Sequence, residues 1–245
     1  MSYEIRWMRE DETEEVLDLL NTVMQASRGY FSDSFRRSGT ASPSLLLVAD
    51  GEVASHIRIF PRLRPVGRAL VRSAEIGDVC THPRHRGKGY MTALLNTVAQ
   101  LLYLDGYDIS TVYSGVPIYQ KSGWVAFPEP EQYLLWRLLN LRTLLARTTP
   151  VWQERVCALE PPFEGVIELF CNGQRGYLEF APRLVRPLEY HAAPDLRLRF
   201  DQLTFFRLLV GRDTPEELCL VEQCELRPRD MEVLTALFPK ARPSF

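Results

Sequence analysis

The chain has 245 residues, 46% of them hydrophobic and 24% charged, with a formal net charge of −2. That is a globular composition, long enough for one large or two ordinary domains, and its near-balanced charge excludes a global attraction to nucleic acid or anionic membrane. The longest purely apolar run, Leu45 to Ala49, is far short of a membrane span, and the charged start, Tyr3-Glu4-Ile5-Arg6-Trp7, lacks the apolar stretch of a signal peptide, so a cytoplasmic protein is expected. The cysteine count is 5, with no C-x-x-C pair, which fits free thiols in a reducing compartment, and no histidine sits at ligand spacing from a cysteine pair, so no metal is expected.

In chain order, Tyr3 to Trp7 alternates like a strand. Asp11 and Glu14 form a capping signal ahead of Val16, Leu19, Leu20, Val23 and Met24 at helical spacing. A mixed stretch with Tyr30, Phe31 and Phe35 leads to an apolar strand at 45–48, the turn Asp50-Gly51 and a second strand at 53–60, a hairpin by turn chemistry. Further strands are expected at 69–73 and 75–81. Residues 89–104 carry apolar side chains at 91, 94, 95, 98, 101 and 102 and are followed by Gly106, the clearest helix in the chain. Then come a strand at 107–113, a helical turn at 117–122 and a strand around Tyr133 to Leu139. The pattern breaks at Thr148-Thr149-Pro150, where a boundary is drawn between domains at 1–147 and 148–245. Beyond it, strands at 166–170 and 177–180 flank the hairpin signal Asn172-Gly173, and Leu196, Leu198 and Phe200 alternate with arginines as another strand. Asp201 caps a helix closed by Gly211, Thr214-Pro215-Glu216-Glu217 opens a second, and a third runs from Asp230 to Phe238. The order implies an α/β or α+β fold with a mixed sheet, followed by a smaller α+β domain.

One segment carries chemistry. Val79-Cys80-Thr81 ends a strand, and Arg84-His85-Arg86-Gly87-Lys88-Gly89 runs straight into the best helix. Glycines at 87 and 89 let successive backbone N–H groups face one concavity, to which the helix N-terminus adds roughly half a positive charge. Arg84, Arg86 and Lys88 add formal charge nearby, so a pyrophosphate suits this turn. The plain alternative is an exposed strand-to-helix turn closed by two glycines. Neither G-x-x-x-x-G-K-[ST] nor G-x-G-x-x-G is present, which excludes the P-loop and dinucleotide readings.

The remaining pattern, Arg84-x-x-Gly87-x-Gly89 behind Pro83, resembles the acyl-CoA loop of the GNAT acetyltransferases, [QR]-x-x-G-x-[GA]. Residues 3 to about 140 follow that superfamily's order of elements. The resemblance implies acetyl-CoA as co-substrate, held by Val79, Cys80 and Thr81 along the pantetheine arm and by Arg84, Arg86, Gly87, Lys88, Gly89, Tyr90 and Met91 at the pyrophosphate. Ser114 to Tyr119, followed by Gly123-Trp124, looks like the superfamily's segment whose tyrosine donates a proton to the departing thiolate, which implies a catalytic role for Tyr119 and places Ser114 beside the cofactor. A core tyrosine beside Trp124 is the alternative. The implied reaction is direct attack of a primary amine on the thioester, with backbone N–H groups around Val79 to Thr81 stabilising the oxyanion. Glu75 or Asp78 is open as a base acting through water, with a paired strand carboxylate as the alternative, and Cys80 as a covalent nucleophile is disfavoured because its only histidine candidates, His82 and His85, are expected to face solvent or phosphate.

Within the superfamily, Thr81-His82-Pro83, the Ser114 to Tyr119 spacing and the ending Leu237-Phe238-Pro239 to Pro243-Ser244-Phe245 are similar to the enhanced-intracellular-survival (Eis) type. Those proteins pair such a domain with a sterol-carrier-like C-terminal domain. The likeness implies that the terminal carboxylate of Phe245 reaches the active site as a base; a frayed terminus is the alternative. The length leaves no room for that type's central domain. The expected partner is a small-molecule amine, with no nucleic acid or membrane, and a homo-oligomer is left open. The competing function class is a non-catalytic acyl-CoA or lipid-binding module.

Overall fold

Two compact units divide the chain. Met1–Arg62, Ser73–Asp105 and Ser110–Trp136 form the first, and Leu63–Arg72, Gly106–Ile109 and Arg137–Phe245 the second. The structure, a computed structural model, describes residues 2–25, 28–38, 42–126, 134–156, 159–182, 184–222 and 228–241. Phe245, Ser244, Cys157, Cys224 and Tyr133 lie outside the described residues.

In chain order the elements up to residue 138 are β1 (Tyr3–Trp7), α1 (Thr13–Met24), α2 (Arg28–Ser38), β2 (Ser44–Ala49), β3 (Glu52–Val66) and β4 (Ala69–Thr81). Then follow α3 (Tyr90–Leu104), β5 (Ile109–Tyr113), α4 (Ile118–Lys121), β6 (Val125–Ala126) and β7 (Leu134–Leu138); the end of β3, the start of β4, the first residue of β5 and the end of β7 belong to the second unit. The strands form one seven-stranded sheet in the order β1-β2-β3-β4-β5-β7-β6. β2 and β3 join through Asp50-Gly51, both at positive φ, which matches the twist that a two-residue hairpin needs.

The entry to α1 departs from expectation. A 3₁₀ turn at Glu10–Glu12 precedes it, and the organising carboxylate is Glu12. It accepts from Arg6 at 2.7 Å and from the Arg9 backbone N–H at 2.7 Å, which holds the Glu12 carboxyl down at about 2. The helix then buries Val16, Leu17, Leu19 and Leu20 against Phe31, Leu46, Val53 and Cys80. The stretch with Tyr30, Phe31 and Phe35 is helical, and β4 is one continuous strand where two were expected.

In the second unit α5 (Leu141–Val156) runs unbroken through Thr148-Thr149-Pro150, where sequence pattern predicts a break. Pro150 has no N–H for the Ala146 carbonyl, and the Thr149 hydroxyl donates to that carbonyl instead. Thr148 donates to Leu144 O at 2.7 Å and receives the Trp152 indole N–H at 2.8 Å. β8 (Gly165–Cys171) and β9 (Gln174–Ala181) form the expected hairpin around Asn172-Gly173. β10 (Leu184–Leu188) was not anticipated, and β11 (Leu196–Phe200) lies parallel to β8, giving the order β10-β9-β8-β11. α6 (Gln202–Leu209) is capped by Asp201, whose carboxylate accepts from Thr204 N at 3.0 Å. α7 (Pro215–Glu222) and α8 (Pro228–Leu237) complete the unit.

Among the described residues, no helix is long and apolar enough to cross a membrane. Cys80 and Cys171 are free thiols.

Candidate active site

β4 hands over to α3 through a short built turn. The His82 ring accepts from Arg84 N at 3.2 Å and starts a 3₁₀ turn at Pro83–His85; Gly87 and Gly89 follow, both at φ +77°. This is the left-handed backbone that glycine adopts without penalty. A Cβ placed on either glycine meets nothing within 4 Å, so open space lies in front of the loop. A diphosphate needs backbone N–H groups at a helix N-terminus with no side chain in the way, and this loop meets that requirement.

A cavity of about 510 Å³ opens at the loop. Val79, Cys80 and Thr81 of β4, Arg86, Gly87 and Gly89 of the loop, Tyr90 and Met91 of α3, and Tyr119 of α4 all line it. Three expected residues do not. Arg84 reaches out to Glu52 at 3.3 Å, Lys88 donates to the His85 ring at 3.2 Å, and Ser114 accepts from Val116 N at 3.1 Å. Ser114 does act on the site indirectly, through a side-chain hydrogen bond with Tyr119. The expected base at Phe245 lies outside the described residues.

Tyr119 is buried at 6% exposure, edge-on to Trp124 with centroids 6.4 Å apart. Burial raises its phenol above the ordinary value, so at neutral pH it carries the proton that an acid needs. Burial also pushes the Cys80 thiol up to about 12, with the Asp78 charge adding to the effect. A thiol held protonated in this way is a poor nucleophile, which favours direct transfer.

Residues 4–127 match the acetyltransferase (GNAT) domain family model, half of the chain. The chain belongs to the GNAT acetyltransferase family. It is accordingly an acyltransferase enzyme. No curated protein matches this GNAT chain. Among solved structures it is similar to a probable N-acyltransferase from Enterococcus faecalis, with a TM-score of 0.78 at 12% identity over 99% of this chain and 98% of that one. A GCN5-related N-acetyltransferase from Kribbella flavida is also similar, with a TM-score of 0.68 at 13% identity over 99% and 97%. A GNAT family N-acetyltransferase from Escherichia coli, solved in complex with CoA, aligns over 58% of this chain and 84% of its own with a TM-score of 0.50 at 16% identity. At these identities the likeness is one of fold.

His85, expected to face solvent or phosphate, is buried at 6% exposure and lines the cavity. The GNAT domain also holds candidates that the sequence did not single out: Thr92, Val116 and Ile118 line the cavity too. β3 carries three fully buried polar side chains, Ser55, His56 and Arg58, and the last two can bear positive charge. His56 Nδ1 donates to the Asp78 carbonyl at 2.7 Å, and its Nε2 accepts from the Ser44 hydroxyl at 2.9 Å. Arg58 donates to the Asp78 carboxylate at 3.4 Å and to Ser34 Oγ at 3.1 Å, and its guanidinium stacks 3.8 Å from the Phe35 ring centroid. Desolvation outweighs the attraction in this pair: it lowers Arg58 and raises Asp78.

A second cavity of about 560 Å³ lies against α1, α2 and the start of β2. Trp7, Met8 and Phe35 give it apolar walls, and Arg9, Glu10, Glu14 and Arg36 give it balanced charge. Arg58 touches residues associated with both cavities, since it stacks on Phe35 and bonds to Asp78, the neighbour of Val79.

Proposed function

We propose that the protein is an acetyl-CoA-dependent N-acetyltransferase that moves the acetyl group directly to a primary amine, with residues 1–147 as the acetyltransferase domain. The observation that carries this reading is the Gly87–Gly89 loop, which opens onto a cavity that Val79 to Thr81 and Tyr119 share. Acetyl-CoA supplies an activated thioester. The loop N–H groups and Arg86 hold its diphosphate, and the backbone of Val79 to Thr81 runs along the pantetheine arm.

An amine of pKa about 10.4 is only about 0.04% neutral at pH 7, so reaching the nucleophile costs about 4.6 kcal/mol unless the site removes the proton. The ammonium releases one proton to water, and the neutral nitrogen bonds to the thioester carbon while that carbonyl's π pair moves to oxygen. Backbone N–H groups of β4 hold this oxyanion. Collapse breaks the C–S bond, Tyr119 protonates the leaving sulfur, and the amide nitrogen loses its second proton, which restores Tyr119 through water. The balance is ammonium plus acetyl-CoA giving amide, CoA thiol and one proton.

The second cavity is the proposed acceptor site. Two glutamates and two arginines on its walls offer no net attraction for a polycation, while Trp7 and Phe35 suit an apolar group. The preferred acceptor is therefore an amine that bears an aryl or acyl portion. Residues 148–245 are read as a sterol-carrier-like domain of the Eis type, a reading supported by the four-stranded sheet followed by three helices.

The test is release of free thiol from acetyl-CoA with a panel of arylalkylamines, polyamines and aminoglycosides. Turnover with arylalkylamines is expected to exceed that with polyamines. Tight CoA binding without thiol release across the whole panel supports the acyl-CoA or lipid-binding module instead.

A further inference from the structure

The left-handed residue on β4 is Asp78, at φ +49°, immediately before the three residues that line the acetyl-CoA cavity. Inside a strand, away from a turn, a non-glycine residue needs surrounding contacts to hold this conformation. His56 makes one of them here. Its ring is fully buried, and both of its nitrogens are engaged. A carbonyl can only accept, so the 2.7 Å contact with Asp78 O fixes the proton on Nδ1, and Nε2 is left to accept from Ser44. The Asp78 carbonyl thus sets the tautomer, and the Ser44 hydroxyl, which can donate or accept, satisfies the ring's other nitrogen.

The peptide bond between Asp78 and Val79 is planar, and in its trans form the N–H points opposite to the C=O. With the Asp78 carbonyl held against His56 on β3, the Val79 N–H faces away from β3. Val79 itself lines the cavity. Resting on the acetyltransferase reading above, we infer that His56 is a positioning residue for acetyl transfer: it locks the Asp78–Val79 peptide so that the Val79 N–H is aimed at the thioester oxygen. Arg58 anchors the same residue by its side chain, through the Asp78 carboxylate. Two buried groups on one strand therefore hold one residue at two points. Burial keeps the imidazole neutral at working pH, which preserves Nε2 as an acceptor.

The experiment uses the full chain and acetyl-CoA labelled with ¹³C at the thioester carbonyl. Isotope-edited infrared spectra report how far the bound carbonyl stretch is lowered by hydrogen bonding. His56→Asn keeps an N–H near the Nδ1 position, whereas His56→Leu removes it at similar volume. In His56→Leu the stretch is expected to return toward its value in water and kcat to fall on the order of 10–100-fold, with acetyl-CoA affinity within about threefold of the parent. His56→Asn is expected to restore most of the lowering and most of kcat.

Ser44→Ala, which leaves the imidazole in place but removes the partner that holds its Nε2 side, is expected to lie between them and serves if His56→Leu does not fold. An unchanged stretch and kcat in both His56→Leu and Ser44→Ala would overturn the inference, as would equal losses in His56→Leu and His56→Asn. A parent protein that fails to bind acetyl-CoA overturns the function itself, a result these variants do not mimic.

Discussion

Tyr119 and His56 show how one physical cause, burial, serves different ends in two side chains. Burial keeps the Tyr119 phenol protonated, and its hydrogen bond with Ser114 gives the hydroxyl a fixed partner. Tyr119→Phe should lower kcat on the order of 10²-fold while leaving the acetyl-CoA KM within a few-fold, since the loop proposed to hold the diphosphate is untouched. Steady-state kinetics with the best amine checks this. His56 titrates at about 4 in the folded chain against an ordinary 6.5, chiefly because burial disfavours its charge, with Arg58 adding to the effect. The unfolded chain takes up the proton first as pH falls, so stability is full above 6.5 and is lost through the window down to about 4, by up to about 3 kcal/mol. Asp78 works in the opposite sense, because its raised pKa makes the folded chain the better proton binder. Denaturant midpoints between pH 7 and 4 should fall steeply for the parent and less for His56→Asn. Cys80, buried at 4% exposure with its thiol at about 12, should react with iodoacetamide roughly 10³-fold more slowly than a free cysteine, as read by mass spectrometry of its peptide.

At the level of elements, the sequence spoke clearly where a local rule decides the backbone. Asp50-Gly51, Asn172-Gly173 and Asp201 were legible because positive φ and helix capping leave residue-specific marks. The turn at Gly87 and Gly89 was legible for the same reason. What was not legible depends on partners far away in the chain. α2 has a weak apolar stripe, and α5 hides behind a proline whose lost hydrogen bond is replaced by the Thr149 hydroxyl. His56 and Arg58 did leave a signal, since two cationic-capable residues inside an apolar strand require buried partners; only the fold reveals that those partners are Ser44, Ser34 and Asp78. The loop glycines allow a controlled test. Gly89 and Gly173 share φ +77°, and neither would place a Cβ within 4 Å of any atom. Alanine at either should lose about 1 kcal/mol of stability to the left-handed backbone. Only Gly89→Ala should also weaken CoA binding, by about tenfold in Kd, because only Gly89 lines the cavity proposed for the cofactor. Calorimetric titration of both variants separates the two effects.

For the molecule as a whole, each compact unit is assembled from three stretches of chain, and no sequence pattern announces that residues 63–72 and 106–109 pack with the C-terminal unit. Asp108 explains it. Its carboxylate is fully buried, accepts from Arg72 N at 2.7 Å and pairs with Arg147 at 2.9 Å. Its backbone carbonyl takes the N–H groups of Leu139 at 3.0 Å and Asn140 at 3.1 Å, and its own N–H donates to Arg72 O at 2.9 Å. One residue thus ties the 63–72 stretch, the start of β5 and the entry to α5 into a single knot within the second unit. Asp108→Ala leaves the Arg72 N–H without its carboxylate and Arg147 without its partner. The expected loss is about 2 kcal/mol, chiefly from leaving the Arg72 N–H unsatisfied. Asp108→Asn keeps an acceptor for Arg72 N but not the charge for Arg147, so it should lose less than half as much. Arg147 is partly exposed, at 37%, and can turn to water, which makes the backbone contact the larger share. Thermal melts should therefore rank the parent above Asp108→Asn and Asp108→Asn above Asp108→Ala, with CoA affinity at 25 °C unchanged in both variants. If Asp108→Asn melts as low as Asp108→Ala, the ion pair rather than the backbone bond holds the knot together.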